Sequence, residues 1–155
     1  AVKLLEGNRM TIQLRNAEVS DEACCVELLS ELKLETASHR ALPLGKSFRQ
    51  LVTKERGQII LAVEGKNVLG MATVSYNLAM RYGGEYCQLE ELVVTSDARG
   101  KNIGGLLVRR IIDNARERGC AEIGLYLLES TKHNRPFYEK YGFEVFGLEM
   151  RQSLR

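Results

Sequence analysis

The sequence predicts a mixed α/β (α+β) fold in which a mostly antiparallel, twisted sheet carries helices on both faces. Apolar residues either alternate or recur at helical spacing, which gives the element order β-α-α-β-β-β-α-β-α-β. The strand at 85–94 leads through a helix into a strand at 121–128, and such a crossover makes two strands parallel. A length of 155 residues with 45% hydrophobic content indicates one domain with a substantial core.

A boundary between a lead and the domain is predicted at Met10. Residues 1–9 resemble nothing that follows, so we expect Met10 to be the natural start and 1–9 to be an added or disordered lead. Residues 10–155 contain no internal repeat, no low-complexity tract and no linker. We therefore expect them to form a single domain.

The first part of this domain predicts one strand and two helices. The run 11–17 alternates as a first strand does. Ser20 is a good N-cap for a helix over 21–35, because its hydroxyl can accept a free N–H of the first turn. A loop at 36–46 follows, and Ser47 then caps a short second helix. Such a loop often shapes a substrate pocket, but it is equally compatible with surface packing.

The middle of the chain predicts three antiparallel strands joined by tight turns. Turn-forming residues at 65–67 and 81–84 separate apolar runs at 58–64, 68–80 and 85–94. Two hairpins in succession give a meander, so the three strands are adjacent in the sheet.

The longest helix is predicted to start at Ile103. Ile103, Leu107, Ile111 and Ala115 recur every four residues and form one apolar stripe, while most charged residues lie off it. Gly119 is suited to the left-handed conformation that ends many helices. The helix therefore has one face for the core and one for solvent.

The last part of the chain predicts a strand, a short helix and a final strand. The first strand covers 121–128. Pro136 suits the first turn of a helix over 136–141, which Gly142 ends. The alternating residues 143–151 predict the last strand.

Composition excludes several functional classes. A net charge of +2, with basic residues spread along the chain, suggests neither bulk nucleic-acid binding nor a polybasic membrane anchor. No apolar run approaches the roughly 20 residues of a membrane span. Cys24, Cys25, Cys87 and Cys120 form no C-x-x-C pair, so we expect no metal site, structural or incidental cysteines, and a reducing cytoplasm.

The loop that precedes the longest helix predicts an anion site. It reads Arg99-Gly100-Lys101-Asn102-Ile103-Gly104-Gly105. A helix start carries backbone N–H groups without an intrahelical partner, and glycine lets a phosphate approach them closely. The alternative is a turn that merely requires glycines, with solvated basic residues. Neither the P-loop motif nor the dinucleotide fingerprint is present, so the loop does not name its ligand.

Two motifs resemble those of the GNAT superfamily of acetyl-CoA-dependent N-acetyltransferases. VVTSDARGKNIGGLL resembles the family's pyrophosphate loop, Q/R-x-x-G-x-G/A, and FYEKYGF resembles its last helix and exit. The two motifs lie in the family's order, and the element order matches over about 11–154. The chain departs from the pattern at Asn102, where the family usually has glycine. Asn is the least costly non-glycine residue at positive φ, so we expect the turn to survive.

The resemblance implies where acetyl-CoA would bind. Its pantetheine arm would pair with Leu92, Val93 and Val94 in a gap between two splayed parallel strands. A backbone N–H near Leu92 or Val93 would hold the thioester carbonyl and stabilise the oxyanion. The pyrophosphate would bind the backbone of the loop residues Arg99, Gly100, Lys101, Asn102, Ile103, Gly104 and Gly105.

The resemblance also implies a general acid. Tyr138 matches the family's tyrosine, which protonates the departing thiolate; the alternative is a core tyrosine with a bonded hydroxyl. Relatives often place a cofactor-contacting Asn where this chain has Thr131, and Asn134 and His133, which lie closer to Tyr138, are alternatives to it. A surface-loop role is equally compatible with both.

Glu90 and Glu91 are the predicted acceptor-binding and catalytic carboxylates. LEELVVTSDARG is similar to a segment of diamine and polyamine acetyltransferases in which acidic residues meet a cationic amine. A carboxylate can attract the ammonium ion and accept the proton that must leave before attack. Because neighbouring strand residues point to opposite faces, only one glutamate should face the substrate, and Glu90 is favoured. The alternative is one solvated glutamate and one paired with Arg109 or Arg110.

The interpretation is an enzyme that acetylates a primary amine by direct attack, with a polyamine or another small cationic amine as acceptor. An amino acid, an aminoglycoside or a protein amine is also compatible with the sequence. A non-catalytic module that senses acyl-CoA is the alternative that Asn102 suggests. The resemblance alone suggests a homodimer.

Overall fold

The computed structural model describes residues 11–32 and 44–154. The predicted lead before Met10, and most of the predicted loop at 36–46, lie outside the described residues. The chain divides into two compact units, Ala1–Leu125 and Tyr126–Arg155.

A five-stranded sheet forms the centre of the first unit, and its strands lie in chain order. Every neighbouring pair is antiparallel except the last, in which β4 and β5 run parallel. The predicted mixed, mostly antiparallel sheet with one parallel pair is therefore confirmed. The strands are β1 Ile12–Asn16, β2 Gly57–Glu64, β3 Asn67–Ala79, β4 Gly84–Val94 and β5 Ile123–Leu125.

Helices cover both faces of this sheet. On one face, α1 (Glu22–Glu31) and α2 (Leu44–Val52) pack on the strands. Their contribution to the core is Cys25, Leu28 and Phe48, which meet sheet residues such as Met71 and Val93. On the other face lies α3 (Ile103–Arg118), whose buried residues follow the predicted stripe. The remaining core members on the α1 and α2 face are Ala17, Ile59, Leu61 and Val63.

The two helices on the first face begin at residues other than those predicted. Asp21, rather than Ser20, is the N-cap residue of α1, because a short 3-10 turn at Val19–Asp21 precedes the helix. Two hydrogen bonds from the Arg15 guanidinium, of 2.7 and 2.9 Å, hold the Asp21 carboxylate there. Ser47 lies inside α2 instead of capping it, because the amphipathic stripe that buries Phe48 already begins at Leu44.

The bounds of α3 agree with the prediction at both ends. Asn102 precedes the helix with φ 58° and ψ 27°, and Gly119 ends it with φ 84°. The N–H of Gly119 donates to the carbonyl of Arg116 at 3.0 Å, and that of Cys120 donates to Ala115 at 2.9 Å. These bonds satisfy carbonyls that a helix end leaves without partners.

The second unit contains one short helix, α4 (Arg135–Glu139), with Pro136 in its first turn as predicted. A 3-10 segment at Glu129–Asn134 precedes it, and Gly142 follows it with φ 87°. The predicted strand at 143–151 is wrong, because 143–151 have no strand pairing. The alternating pattern of that segment is compatible with a strand, but a strand forms only where another strand accepts its hydrogen bonds.

The sequence makes predictions about the cysteines, metal binding and membrane spans. All four cysteines are free thiols, and burial raises the pKa of Cys25 and Cys87 to about 12. The described residues contain no cluster of His, Cys, Asp and Glu that could hold a metal ion. None of the described helices has the length and apolar character that crossing a membrane requires.

Candidate active site

A β-bulge in β4 sets the geometry of the candidate site. Thr73 of β3 pairs with Glu91, and the next residue, Val74, pairs with Leu89. Glu90 is therefore an extra residue with no partner in the register. A bulge breaks the alternation of side chains at the point where it occurs.

The bulge places both glutamates on one face of the sheet. Thr73 and Ser75 are two residues apart in β3 and so share a face, which is that of Met71, α1 and α2. The Thr73 hydroxyl is hydrogen-bonded to Glu91 Oε2, and the Ser75 hydroxyl donates to Glu90 Oε1 at 2.5 Å. The expectation that only one glutamate turns to this face is wrong, because it assumes a regular strand.

The two carboxylates lie in different environments. Glu90 is exposed, whereas Glu91 is partly buried beside Thr73, which is 4% exposed. Burial, and after it the neighbouring negative charge of Glu90, raises the pKa of Glu91 to about 7. Glu91 can therefore bind and release a proton near neutral pH, whereas an ordinary glutamate is ionised there.

The pairing of β4 with β5 ends immediately beside this bulge. β4 pairs with β5 only from Cys87 to Leu89, where the partner of Leu89 is Leu125, the last residue of β5. The next stretch of β4 therefore has no β5 partner on that edge. The N–H of Thr95 donates to β3 at 2.9 Å, so by alternation the backbone groups of Leu92 and Val94 point to the open edge. Of the two predicted N–H donors, Leu92 has the suitable direction.

The loop before α3 follows at the end of β4. Gly100 has φ 86° and Asn102 has φ 58°, so the predicted survival of this turn with Asn is confirmed. The first turn of α3 leaves the N–H groups of Ile103, Gly104 and Gly105 without intrahelical acceptors, and the Asn102 side chain does not cap them. These backbone donors are suited to an anion.

The basic side chains of the loop differ in their contacts. Arg99 is exposed to solvent. The ammonium of Lys101 lies 3.7 Å from Glu64 Oε2, across the β2–β3 turn. The positive charge of Lys101 is therefore partly balanced by the protein, and the backbone provides the more regular set of anion donors.

Gly70 of β3 allows the start of α3 to lie against the sheet. A Cβ atom at Gly70 would lie 2.8 Å from the carbonyl oxygen of Val93 and 2.9 Å from Ile103 Cγ2. Only glycine leaves room for this approach. This close approach positions the loop at 99–105, here called the anion loop, near the end of β4, the strand that carries Leu92 and Val94.

The remaining predicted residues belong to the second unit. Tyr138 lies in α4 with its ring edge-on to Phe137 and Phe143, at centroid distances of 5.0 and 5.9 Å. Burial raises the pKa of the Tyr138 hydroxyl, so it stays protonated at neutral pH. Thr131 and Asn134 lie in the preceding 3-10 segment, where the Thr131 hydroxyl donates to a backbone carbonyl at 3.2 Å.

The structure thus brings one part of the predicted set together within the first unit: Glu90, Glu91, Leu92, Val93, Val94 and the loop at 99–105. Sequence reasoning missed the polar side chains of β3 that contact the carboxylates. Thr73, Ser75 and Asn77 alternate on the face of Met71, and the Asn77 amide donates to the Ser75 hydroxyl at 3.0 Å. Polar residues at alternate positions next to a buried apolar run were the available signal.

Comparisons with known proteins agree with this geometry. Residues 23–143 match the family described as acetyltransferase (GNAT) family. A probable glucosamine 6-phosphate N-acetyltransferase 2 of Oryza sativa subsp. japonica is 29% identical over 147 residues, which cover 90% of this chain and 86% of that protein. A streptothricin acetyltransferase of Streptomyces lavendulae is 35% identical over 86 residues, covering 54% and 42% of the two chains.

A similar fold is found in a crystal structure of glucosamine-6-phosphate N-acetyltransferase from Arabidopsis thaliana. The TM-score is 0.76, the sequence identity is 25%, and the match covers 94% of this chain and 99% of that one.

Proposed function

Because the chain belongs to the acetyltransferase (GNAT) family, we propose that it moves an acetyl group from acetyl-CoA to a primary amine of a small molecule. Members of the family are acetyl-CoA-dependent acyltransferases, and the chain is therefore an enzyme. The amine attacks the thioester directly in a ternary complex. No cysteine lies in the loop at 99–105 or in FYEKYGF, which argues against a cysteine that carries the acetyl group.

The same-face pair of carboxylates at the β4 bulge is the observation that carries this proposal. An alkylamine is mostly an ammonium ion at neutral pH and cannot attack until it loses a proton. Exposed Glu90 attracts the ammonium ion, and Glu91, with a pKa of about 7, accepts its proton. Glu90 is the residue favoured by the sequence, but the burial of Glu91 makes it the better proton acceptor.

The remaining roles follow from the open edge of β4 and from the family resemblance. The Leu92 N–H holds the thioester carbonyl and stabilises the negative charge that develops on its oxygen. The pantetheine arm pairs along Leu92 to Val94, and the N–H groups of the loop at 99–105 take the pyrophosphate. Tyr138 gives its proton to the departing thiolate, which its raised pKa keeps available. Thr131 and Asn134 stay in the proposal as cofactor contacts.

The amine of an amino sugar phosphate is the proposed acceptor. Relatives from Oryza sativa, Arabidopsis thaliana and Trypanosoma brucei brucei are named for glucosamine 6-phosphate, and the first three matches cover at least 90% of this chain. None of the relatives described here is named for a polyamine, so the polyamine expectation is replaced. A sugar amine also suits a face that offers hydroxyl and amide groups beside the carboxylates, at Ser75 and Asn77.

Two other functions use the same site differently. A module that senses acyl-CoA would bind the cosubstrate without turnover, and a protein amine acetyltransferase would accept a lysine or an N-terminus. The carboxylate pair favours catalysis over sensing, because binding CoA alone does not require a proton acceptor of pKa about 7. The family also suggests a homodimer, which light scattering of the purified chain would measure.

The test is an assay of thiol release from acetyl-CoA with glucosamine 6-phosphate, glucosamine and spermidine as matched acceptors. We expect glucosamine 6-phosphate to have the highest kcat/KM. A preference for unphosphorylated glucosamine or for spermidine would contradict the proposed acceptor. If calorimetry shows that acetyl-CoA binds but no amine, peptide amines included, is acetylated, then the sensing function is the correct one.

A further inference from the structure

Thr73 is a buried polar residue in the centre of β3. Its side chain is 4% exposed and lies between the apolar core around Met71 and the partly exposed Ser75. A hydroxyl at such a position costs free energy unless it is hydrogen-bonded. Its hydrogen bonds therefore indicate why the strand has a threonine there and not a valine.

Both hydrogen bonds of the Thr73 hydroxyl join it to one residue, Glu91. The backbone N–H of Glu91 donates to Thr73 Oγ1 at 3.2 Å, and the Thr73 hydroxyl is bonded to Glu91 Oε2. The N–H belongs to the residue immediately after the extra position of the bulge, where the regular ladder is disturbed. One hydroxyl thus holds the backbone and the carboxylate of the same residue.

We propose that Thr73 is a positioning residue which fixes the Glu91 carboxyl for proton transfer from the acceptor amine. Its bond to the backbone stabilises the bulge that turns both glutamates to one face. Its bond to Oε2 leaves the other carboxylate oxygen, Oε1, for the amine. This inference rests on the proposed function.

Ser75 provides an internal comparison within the same strand. Its hydroxyl donates to the side chain of Glu90, at 2.5 Å from Oε1, and Glu90 is exposed. Water can replace this bond. Loss of the Ser75 hydroxyl should therefore affect the reaction much less than loss of the Thr73 hydroxyl.

The charged groups around Glu91 leave its titration easy to interpret. Glu90 is the charge that acts on Glu91. On α1, which packs over this face, Glu22 pairs with Arg49 at 3.1 Å, and Glu27 and Glu31 are exposed. The α1 thiols Cys24 and Cys25 have raised pKa values and are neutral at neutral pH, and β3 places no charge beside Thr73.

The experiment compares Thr73→Val, which keeps the shape and removes the hydroxyl, with Thr73→Ser, which keeps the hydroxyl. The first measurement is the titration of Glu91 in the free protein, followed by the ¹³C signal of labelled glutamate carboxyls and assigned with Glu91→Gln. In Thr73→Val we expect the midpoint to rise by about one pH unit, because the ionised carboxylate loses a donor. Thr73→Ser should titrate as the wild type does.

The second measurement is the pH profile of turnover. We expect Thr73→Val to lower kcat at pH 7 by about tenfold, with the acidic limb of the profile moved upward and KM for acetyl-CoA unchanged. Thr73→Ser should stay within about threefold of the wild type, and Ser75→Ala should lose less kcat than Thr73→Val. An unchanged midpoint in Thr73→Val, or an equal loss in Thr73→Ser, would overturn the inference.

A third variant covers the case in which Thr73→Val does not fold. Thr73→Cys replaces the hydroxyl by a weak donor of similar size, and a midpoint equal to the wild-type midpoint would then refute the positioning role. The proposed function fails separately, if the wild type acetylates no amine. The carboxyl titration needs no substrate and decides the role of Thr73 at Glu91 in either case.

Discussion

Two polar clusters lie on opposite faces of the same sheet, and they differ in charge. The amide cluster, on the α3 face, joins Gln58, Asn16, Tyr76 and Asn114. Gln58 donates to Asn16 at 2.6 Å and accepts from Tyr76 and Asn114 at 3.1 and 3.0 Å. All four groups are neutral, and burial raises the pKa of Tyr76 to about 12. This cluster satisfies its buried polar groups with one another.

The carboxylate cluster, on the α1 and α2 face, joins Thr73, Ser75, Glu90 and Glu91. It brings two groups of the same charge together and withdraws one of them from water. The comparison shows that the sheet can pair polar side chains with neutral partners, as on the α3 face, yet it accepts an unfavourable charge at the bulge. A cost that local chemistry could have avoided is typical of a functional site.

The largest predicted effect is on turnover. Glu91→Gln keeps the size and removes the proton acceptor, so we expect kcat to fall by about 10²–10³-fold, with KM for acetyl-CoA unchanged. Glu90→Gln is the matched control and should mainly raise KM for the acceptor, by roughly tenfold. Steady-state kinetics would measure both. Equal losses of kcat in the two variants would contradict the division of roles between Glu90 and Glu91.

The amide cluster should respond to substitution in the opposite way. Gln58→Ala leaves Tyr76 and Asn114 without their shared acceptor, and we expect the free energy of unfolding to fall by about 2–3 kcal/mol. The folded variant should keep the wild-type kcat. Asn16→Ala removes only one partner and should cost about 1 kcal/mol. Urea unfolding would measure these changes, and a large loss of kcat in folded Gln58→Ala would contradict the separation of the clusters.

The pH dependence of the free energy of unfolding should show how much the ionised Glu91 carboxylate destabilises the folded protein. Its pKa is raised from 4.5 to about 7 in the folded state, so the folded protein binds more protons than the unfolded one between these values. Stability therefore falls as pH rises through this window, by about 2–3 kcal/mol. Glu91→Gln should remove this fall and be more stable than the wild type at pH 8.

Other carboxyl groups change the stability of the protein outside this pH range. The pKa values of Asp21 and Glu85 are lowered by Arg15 and Arg118, so their stabilisation is present above their ordinary values and is lost only in more acidic solution. Urea unfolding of the wild type and of Glu91→Gln at several pH values between 5 and 8 would separate the contributions. Parallel curves for the two proteins would show that Glu91 has an ordinary pKa.

Tyr138 has features of both clusters, since it is neutral, like the amide cluster, and has a functional role only by resemblance. Its hydroxyl has a pKa raised by burial. We expect Tyr138→Phe to lower kcat by about 10- to 100-fold while acetyl-CoA affinity and stability change little. Phe143→Leu, which changes a ring packed on Tyr138, is the control for packing alone. If Tyr138→Phe loses stability and keeps kcat, Tyr138 is a core tyrosine.

How much of this could be read from the sequence depends on the range of the interactions involved. The bounds of α3 and the left-handed Asn102 were predictable, because apolar spacing, Gly119 and the conformational preference of Asn act within a few residues. The bulge was not, since it exists only in the pairing of β3 with β4. The partners Thr73 and Ser75, and the sharing of one face by Glu90 and Glu91, could not be predicted without it.

The final strand shows the same limit. The alternation at 143–151 satisfies a local criterion, and no strand forms there. The second predicted helix likewise begins earlier than its Ser47 cap suggested, because burial of Phe48 extends it. Local sequence signals predicted the elements whose hydrogen bonds lie within a few residues of each other. They failed where the structure depends on contacts with a distant part of the chain.

The smallest predicted effect concerns two residues with positive φ, one in the candidate site and one in a turn outside it. Asn102 (φ 58°) lies in the anion loop, and Lys54 (φ 64°) lies in the turn between α2 and β2. The left-handed conformation costs roughly 1 kcal/mol or more for an ordinary residue such as Lys, and less for Asn. We therefore expect Lys54→Gly to stabilise the protein by about 0.5–1 kcal/mol and Asn102→Gly to change stability by less than about 0.5 kcal/mol.

Calorimetric titration with acetyl-CoA completes the test of this pair. If the backbone N–H groups of Ile103, Gly104 and Gly105 hold the pyrophosphate, then Asn102→Gly should leave Kd within about threefold of the wild type. Lys54→Gly should leave it unchanged. A tighter Kd in Asn102→Gly would show that the asparagine side chain crowds the phosphate. A much weaker one would show that this side chain is itself a ligand, and the anion site would then depend on the residue that departs from the family pattern.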